Sequence, residues 1–127
     1  MDHREAAHQT PTTPTQPSPD APAPAPLWES VDALYAWLDG HNRHTAHEAL
    51  LLRMLKLSEE VGETAQAVIG AIGQNPRKGV THTWDDVQSE LCDVVITALV
   101  TLRTLTPDAE EVFASHLARV TTRSLAQ

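Results

Sequence analysis

Four carboxylates stand out by their spacing. Glu60 and Glu63 are three residues apart, and Glu90 and Asp93 repeat the interval. On a helix, residues three apart project from one side, so each pair would present two carboxylates together. Apolar residues flank both pairs: Val61, Ala65 and Val68 the first, Leu91, Val94 and Val95 the second. Carboxylates bordering an apolar stripe are partners of buried cations or ligands of a metal; otherwise they form a solvated helix face. Only Lys56 and Arg53 are close enough in sequence to act as cations, too few for four negative charges. Like charges sharing a site raise one another's pKa unless a cation intervenes. An all-oxygen set suits Mg2+ or Mn2+ rather than zinc. Di-iron carboxylate bundles use Glu-x-x-His motifs, and neither pair here contains a histidine.

The elements that must carry these residues are helical. Trp28, Val31, Leu34, Tyr35 and Leu38 follow the spacing of an amphipathic helix that stops near Gly40. A capping box, Thr45 to Glu48, opens a second helix running to about Ile72, before Gly73. Its stretch Leu50–Leu57 is apolar nearly all round, which demands cover on several sides and predicts a dimer interface. Gln74–His82 reads as a loop. Thr83 then caps a third helix with Asp85 and Asp86 in its first turn, where the helix dipole favours negative charge. Thr106-Pro107 reads as the start of a fourth, carrying Val112, Phe113, Leu117 and Val120 and fraying near Thr122. No strand pattern competes, so the fold class is all-α, with four main helices.

Seven of the nine prolines lie between Pro11 and Pro26. Residues 1–26 therefore read as a disordered Pro/Ala/Thr-rich arm, and residues 27–127 as one helical domain. The net charge is −8, with only Asp2, Glu5 and Asp20 against Arg4 in the arm. An acidic domain excludes a nucleic-acid polymer as the natural partner, since that needs a basic surface. Small polyanions bound through a metal stay open. The single cysteine, Cys92, rules out a disulfide framework within one chain. No run of 18 apolar residues and no signal-peptide core occurs, which predicts a cytoplasmic protein with no membrane partner.

With these motifs in place, the chain resembles the MazG-like, all-α nucleoside triphosphate pyrophosphatase superfamily. KLSEEVGETAQAVIG and ELCDVVITAL look like the family's E-x-x-E and E-x-x-D halves, in order and separated by residues 64–89. The resemblance spans roughly Leu27–Leu105. It implies a helical bundle completed by homo-oligomerisation, dimeric or higher. It also implies hydrolysis of a (deoxy)nucleoside triphosphate to monophosphate and pyrophosphate with Mg2+, Mn2+ being an alternative. On that resemblance Glu60, Glu63, Glu90 and Asp93 would be the metal ligands. Glu59 would orient or deprotonate the attacking water, or else stand at the surface. Two departures are the Pro-rich arm and Thr97, where relatives often carry an aromatic residue.

Among the remaining residues, Arg77 and Lys78 would close over phosphates or lie on a solvated loop. Lys56 would contact phosphate or neutralise the carboxylates. His41, His44 and His47 recur at intervals of three, which would suit a zinc cluster, but Gly40 and the Thr45 cap place them across a helix break; Trp37, with one of them, would line a base pocket. Trp28 and Trp84 fall in phase with apolar stripes and read as core, and Cys92 as a small buried residue. Arg119 and Arg123 would reach substrate or favour the end of the last helix. Two functions follow: a Mg2+-dependent pyrophosphohydrolase, or a non-catalytic module of the same fold that binds a nucleotide while the arm recruits a partner.

Overall fold

The computed structural model describes Asp20 and residues 26–126; the arm expected over residues 1–26 lies almost wholly outside the described residues. Four helices follow one another: α1 (Leu27–Gly40), α2 (Ala46–Ile72), α3 (Trp84–Leu105) and α4 (Ala109–Leu125). No strand occurs among the described residues.

The helix ends follow from local chemistry. Thr45 Oγ1 accepts from the Glu48 amide at 3.2 Å, and Glu48 Oε2 accepts from the Thr45 amide at 3.4 Å. Thr83 and Asp86 form the same reciprocal box at 3.1 and 2.8 Å. Each box satisfies two amides that the first helical turn leaves without partners. Gly73, at φ 69°, closes α2 in the left-handed conformation that a residue without Cβ adopts freely.

The fourth helix departs from expectation at both ends. It begins at Ala109 rather than at Thr106-Pro107, and it continues to Leu125 rather than fraying near Thr122. Thr106 Oγ1 accepts from the Asp108 amide at 3.1 Å, and this short turn occupies the residues expected to be helical.

Helices α2 and α3 run antiparallel as the main packed pair: Arg53 meets Thr104 at one end, and Glu60 faces Glu90 and Asp93 further along. α1 lies on α3, where Val31, Leu99 and Val100 form a buried cluster extended by Trp28 and Leu38. α4 touches α3, buries Ala109 at its start, and meets α1 where Phe113 stacks at a tilt on Trp28, ring centres 6.2 Å apart.

The core of the single chain is thin. Its buried apolar residues are mostly alanine and valine, and no large side chain among the described residues is fully enclosed. Leu51, Leu52, Met54 and Leu55, within the stretch expected to need cover on all sides, stay exposed. So do two residues expected to be buried: Trp84 is 56% exposed, and Cys92 lies at the surface. Both sit in the first half of α3, N-terminal to Leu99 and Val100, where α3 meets α1 in the buried cluster.

Candidate metal centre

Three of the four expected ligands, one from α2 and two from α3, meet where these helices pack. Glu60, Glu90 and Asp93 each offer a carboxylate oxygen within 4.8 Å of the others. Glu60 is buried, Glu90 half-buried and Asp93 exposed, so the group opens from the helix interface toward solvent. Two of its oxygens, Glu60 Oε2 and Glu90 Oε2, are buried without a hydrogen-bond donor. Leaving such an atom unsatisfied costs about 1–3 kcal/mol, and more when it is charged. Two such carboxylates in one acidic group are an environment that a hard divalent cation satisfies. Oxygens bound to one Mg2+ or Ca2+ stand at most roughly 4–5 Å apart, so the trio is close enough to share an ion.

Glu63 lies outside that trio yet feels it. Its carboxyl is pushed above the usual carboxylate range by the charge of Glu60, then by desolvation and by Glu90. Lys56 is the local counter-charge: Nζ donates to Glu59 Oε1 at 3.1 Å and lies 3.5 Å from Glu60 Oε1. The hydrogen bond to Glu59 is the main cause of its raised pKa. Glu59 itself is exposed, one residue round the helix from Glu60.

A cavity of about 420 Å³ opens beside the carboxylates. Leu34, Trp37 and Leu38 of α1 face Ala49 and Leu52 of α2 and Ile96, Thr97 and Val100 of α3, with Asn42, His44, Arg53 and Lys56 at its polar edge. Lys56 belongs to both sites. Lys56 and Thr97 lie four residues from Glu60 and Asp93 respectively, so cavity and carboxylates are offset by one helical turn, about 6 Å along the axis. Trp37 stacks on His41 at 5.0 Å between ring centres, and its carbonyl accepts from His41 Nδ1 at 2.7 Å.

The other candidates lie apart. Arg77 and Lys78 are exposed on the 74–83 loop, and Lys78 borders a small cleft with Gln66, Ile69 and Gly70 instead of the acidic group. The loop is held there because the Thr81 amide donates to the Gly70 carbonyl at 3.0 Å. His41, His44 and His47 form no metal-holding group among the described residues. Arg119 and Arg123 flank a shallow depression on α4. Arg53, Asn42 and Ile96 line the cavity without having been singled out for it. The signal for Arg53 was present: Ala49, Arg53, Lys56 and Glu60 step by four, three and four along one side of α2. No helix of the described residues is long and apolar enough to cross a membrane. No known protein family, curated protein or solved structure matches the chain.

Proposed function

We propose that this protein is a divalent-cation-dependent nucleotide pyrophosphohydrolase, with Mg2+ as the first choice and Mn2+ as a substitute. The observation that carries the reading is the pair of buried, donorless oxygens on Glu60 and Glu90, next to Asp93 and one turn from an apolar cavity. Glu60, Glu90 and Asp93 hold the cation, and Glu63 completes the set from the adjoining position. A bound cation supplies positive charge to phosphate oxygens and lowers the pKa of water.

The chain's own residues then divide the remaining work. The cavity, with Trp37 on its outer wall, takes the base, as apolar clefts with a few polar groups do. Lys56, between cavity and carboxylates, meets the phosphate chain. Glu59 accepts a proton from the attacking water. The water oxygen bonds to the α-phosphorus as the bond to the bridging oxygen breaks, releasing monophosphate and pyrophosphate. Arg77 and Lys78 reach the outer phosphates only if the 74–83 loop moves.

The exposed apolar residues of α2 and α3, among them Leu55 at 66% and Val95 at 56%, support a homo-oligomer in which another copy covers them. A panel of standard and modified nucleoside triphosphates with Mg2+, scored for pyrophosphate, tests the activity. Release from at least one supports it. Release from none, with nucleotide still bound, replaces it with the binding-module reading.

A further inference from the structure

Tyr35 is the point where three helices meet. The Arg103 guanidinium of α3 lies 4.4 Å from the centre of its ring, and that of Arg53 from α2 lies 5.7 Å away. Arg103 Nε also donates to Asp32 Oδ1 at 2.8 Å, one turn before Tyr35 on α1. Arg53 Nη1 donates to Thr104 Oγ1 at 2.7 Å, and that hydroxyl donates to the Val100 carbonyl at 2.8 Å. Arg53 separates two spaces, the cavity beside the carboxylates and a cleft of about 360 Å³ bordered by Tyr35, Asp39 and His47.

This stack matters because α1 is the outer wall of the cavity. Leu34, Trp37 and Leu38 all lie within three residues of Tyr35. Val31 anchors the first half of α1 in the small core. The second half, which carries Trp37, depends on Tyr35 and on partial packing by Leu38. The carboxylates sit on α2 and α3, which pack on each other without help from α1.

We propose that the Arg103–Tyr35–Arg53 stack sets the width of the cavity, with Tyr35 and Arg103 as positioning residues that govern binding of a flat heteroaromatic ring without touching it. The identity of the ring rests on the nucleotide reading above; the clamp does not. A cation over an aromatic face contributes about 0.5–2 kcal/mol depending on its exposure, and tenfold in affinity is 1.4 kcal/mol. Losing the stack should therefore weaken ring binding by roughly two- to thirtyfold and leave cation binding unchanged.

The test uses the full chain and four variants: Arg103→Met, Tyr35→Leu, Arg103→Lys and Tyr35→Phe. Three quantities are measured: Mg2+ affinity, affinity for the α,β-imido analogues of dTTP and dGTP, and hydrogen exchange of the α1 amides around residues 34–38. Arg103→Met and Tyr35→Leu should speed that exchange and weaken analogue binding at constant Mg2+ affinity. Arg103→Lys keeps a cation beside Asp32 and the ring, and Tyr35→Phe keeps the ring, so both should recover most of the loss. Wild-type exchange rates in the first two variants overturn the proposal, as does an equal loss of Mg2+ and analogue binding. If neither analogue binds the wild-type protein, the nucleotide reading falls, and faster α1 exchange in the first two variants still upholds the clamp.

Discussion

Glu60 of α2 and Glu90 of α3 face each other across the helix interface, each burying one carboxylate oxygen that no donor reaches. Secondary structure leaves few atoms of this kind, because buried polar groups are otherwise paired. The relationship defines what the site needs, and it gives a stability signature independent of any reaction.

In the proposed metal site the cation is held by the folded carboxylates and not by the unfolded chain, so Mg2+ should raise the melting temperature. At a hundredfold excess over Kd the gain is about 2.7 kcal/mol by mass action. Glu60→Gln and Glu90→Gln should each lose most of it. Calorimetric scans with and without Mg2+ check this; an equal shift in wild type and variants would remove those residues from the site.

Glu63 gives a pH dependence of definite sign. Its folded-state pKa is raised above 4.5 by Glu60, by desolvation and by Glu90. The stability linked to its protonation is therefore full below 4.5 and is lost as pH rises through the folded value. Without metal, Glu63→Gln should melt at the same or a higher temperature than wild type at pH 7, and the difference should vanish below pH 4.5. Melting curves across pH 4–8 in the presence of a chelator test it.

Leu55, 66% exposed on α2, reports on assembly. In a monomer, Leu55→Glu would change stability by less than about 0.5 kcal/mol, as surface substitutions do. In the proposed oligomer it should shift the protein to a smaller species and lower its melting temperature. Sedimentation velocity at micromolar concentration distinguishes the two.

Gly70 is a packing position. A Cβ there would run into His82 Nδ1, and the loop cannot lift away without breaking the Thr81-to-Gly70 hydrogen bond. Gly70→Ala should destabilise the protein by about 1–3 kcal/mol, the range for overpacked sites. It should also free the 74–83 loop to limited proteolysis.

Features settled within one turn of chain were legible in the residues. Thr45–Glu48 and Thr83–Asp86 announced two helix starts, and Gly73 an end, because each signal is a contact between near neighbours. The intervals of three placed each acidic pair on one side of its helix, while their convergence was expected only from the family resemblance; Glu60, Glu90 and Asp93 do come together, and Glu63 lies outside the trio. Trp84 and Cys92 were not legible, since periodicity marks an apolar side without saying which chain covers it. Pro107 suggested a helix start that the Thr106 hydroxyl turn pre-empts. The seat of the 74–83 loop depends on Gly70, distant in sequence, and the Tyr35 stack joins residues from three helices, so neither leaves a local trace.

The division of labour between α1 and the α2–α3 pair has a consequence for how such a protein can diversify. The carboxylates lie on the α2–α3 pair, and the wall bearing Trp37 lies on α1, joined to that pair by the turn 41–45, the Val31–Leu99–Val100 cluster, the Arg103–Asp32 ion pair and the Tyr35 stack. Exchanging side chains along α1 can retune what the cavity admits while the acidic group keeps its geometry. In the proposed hydrolase, selectivity and reactivity could thus be redesigned separately, one helix at a time.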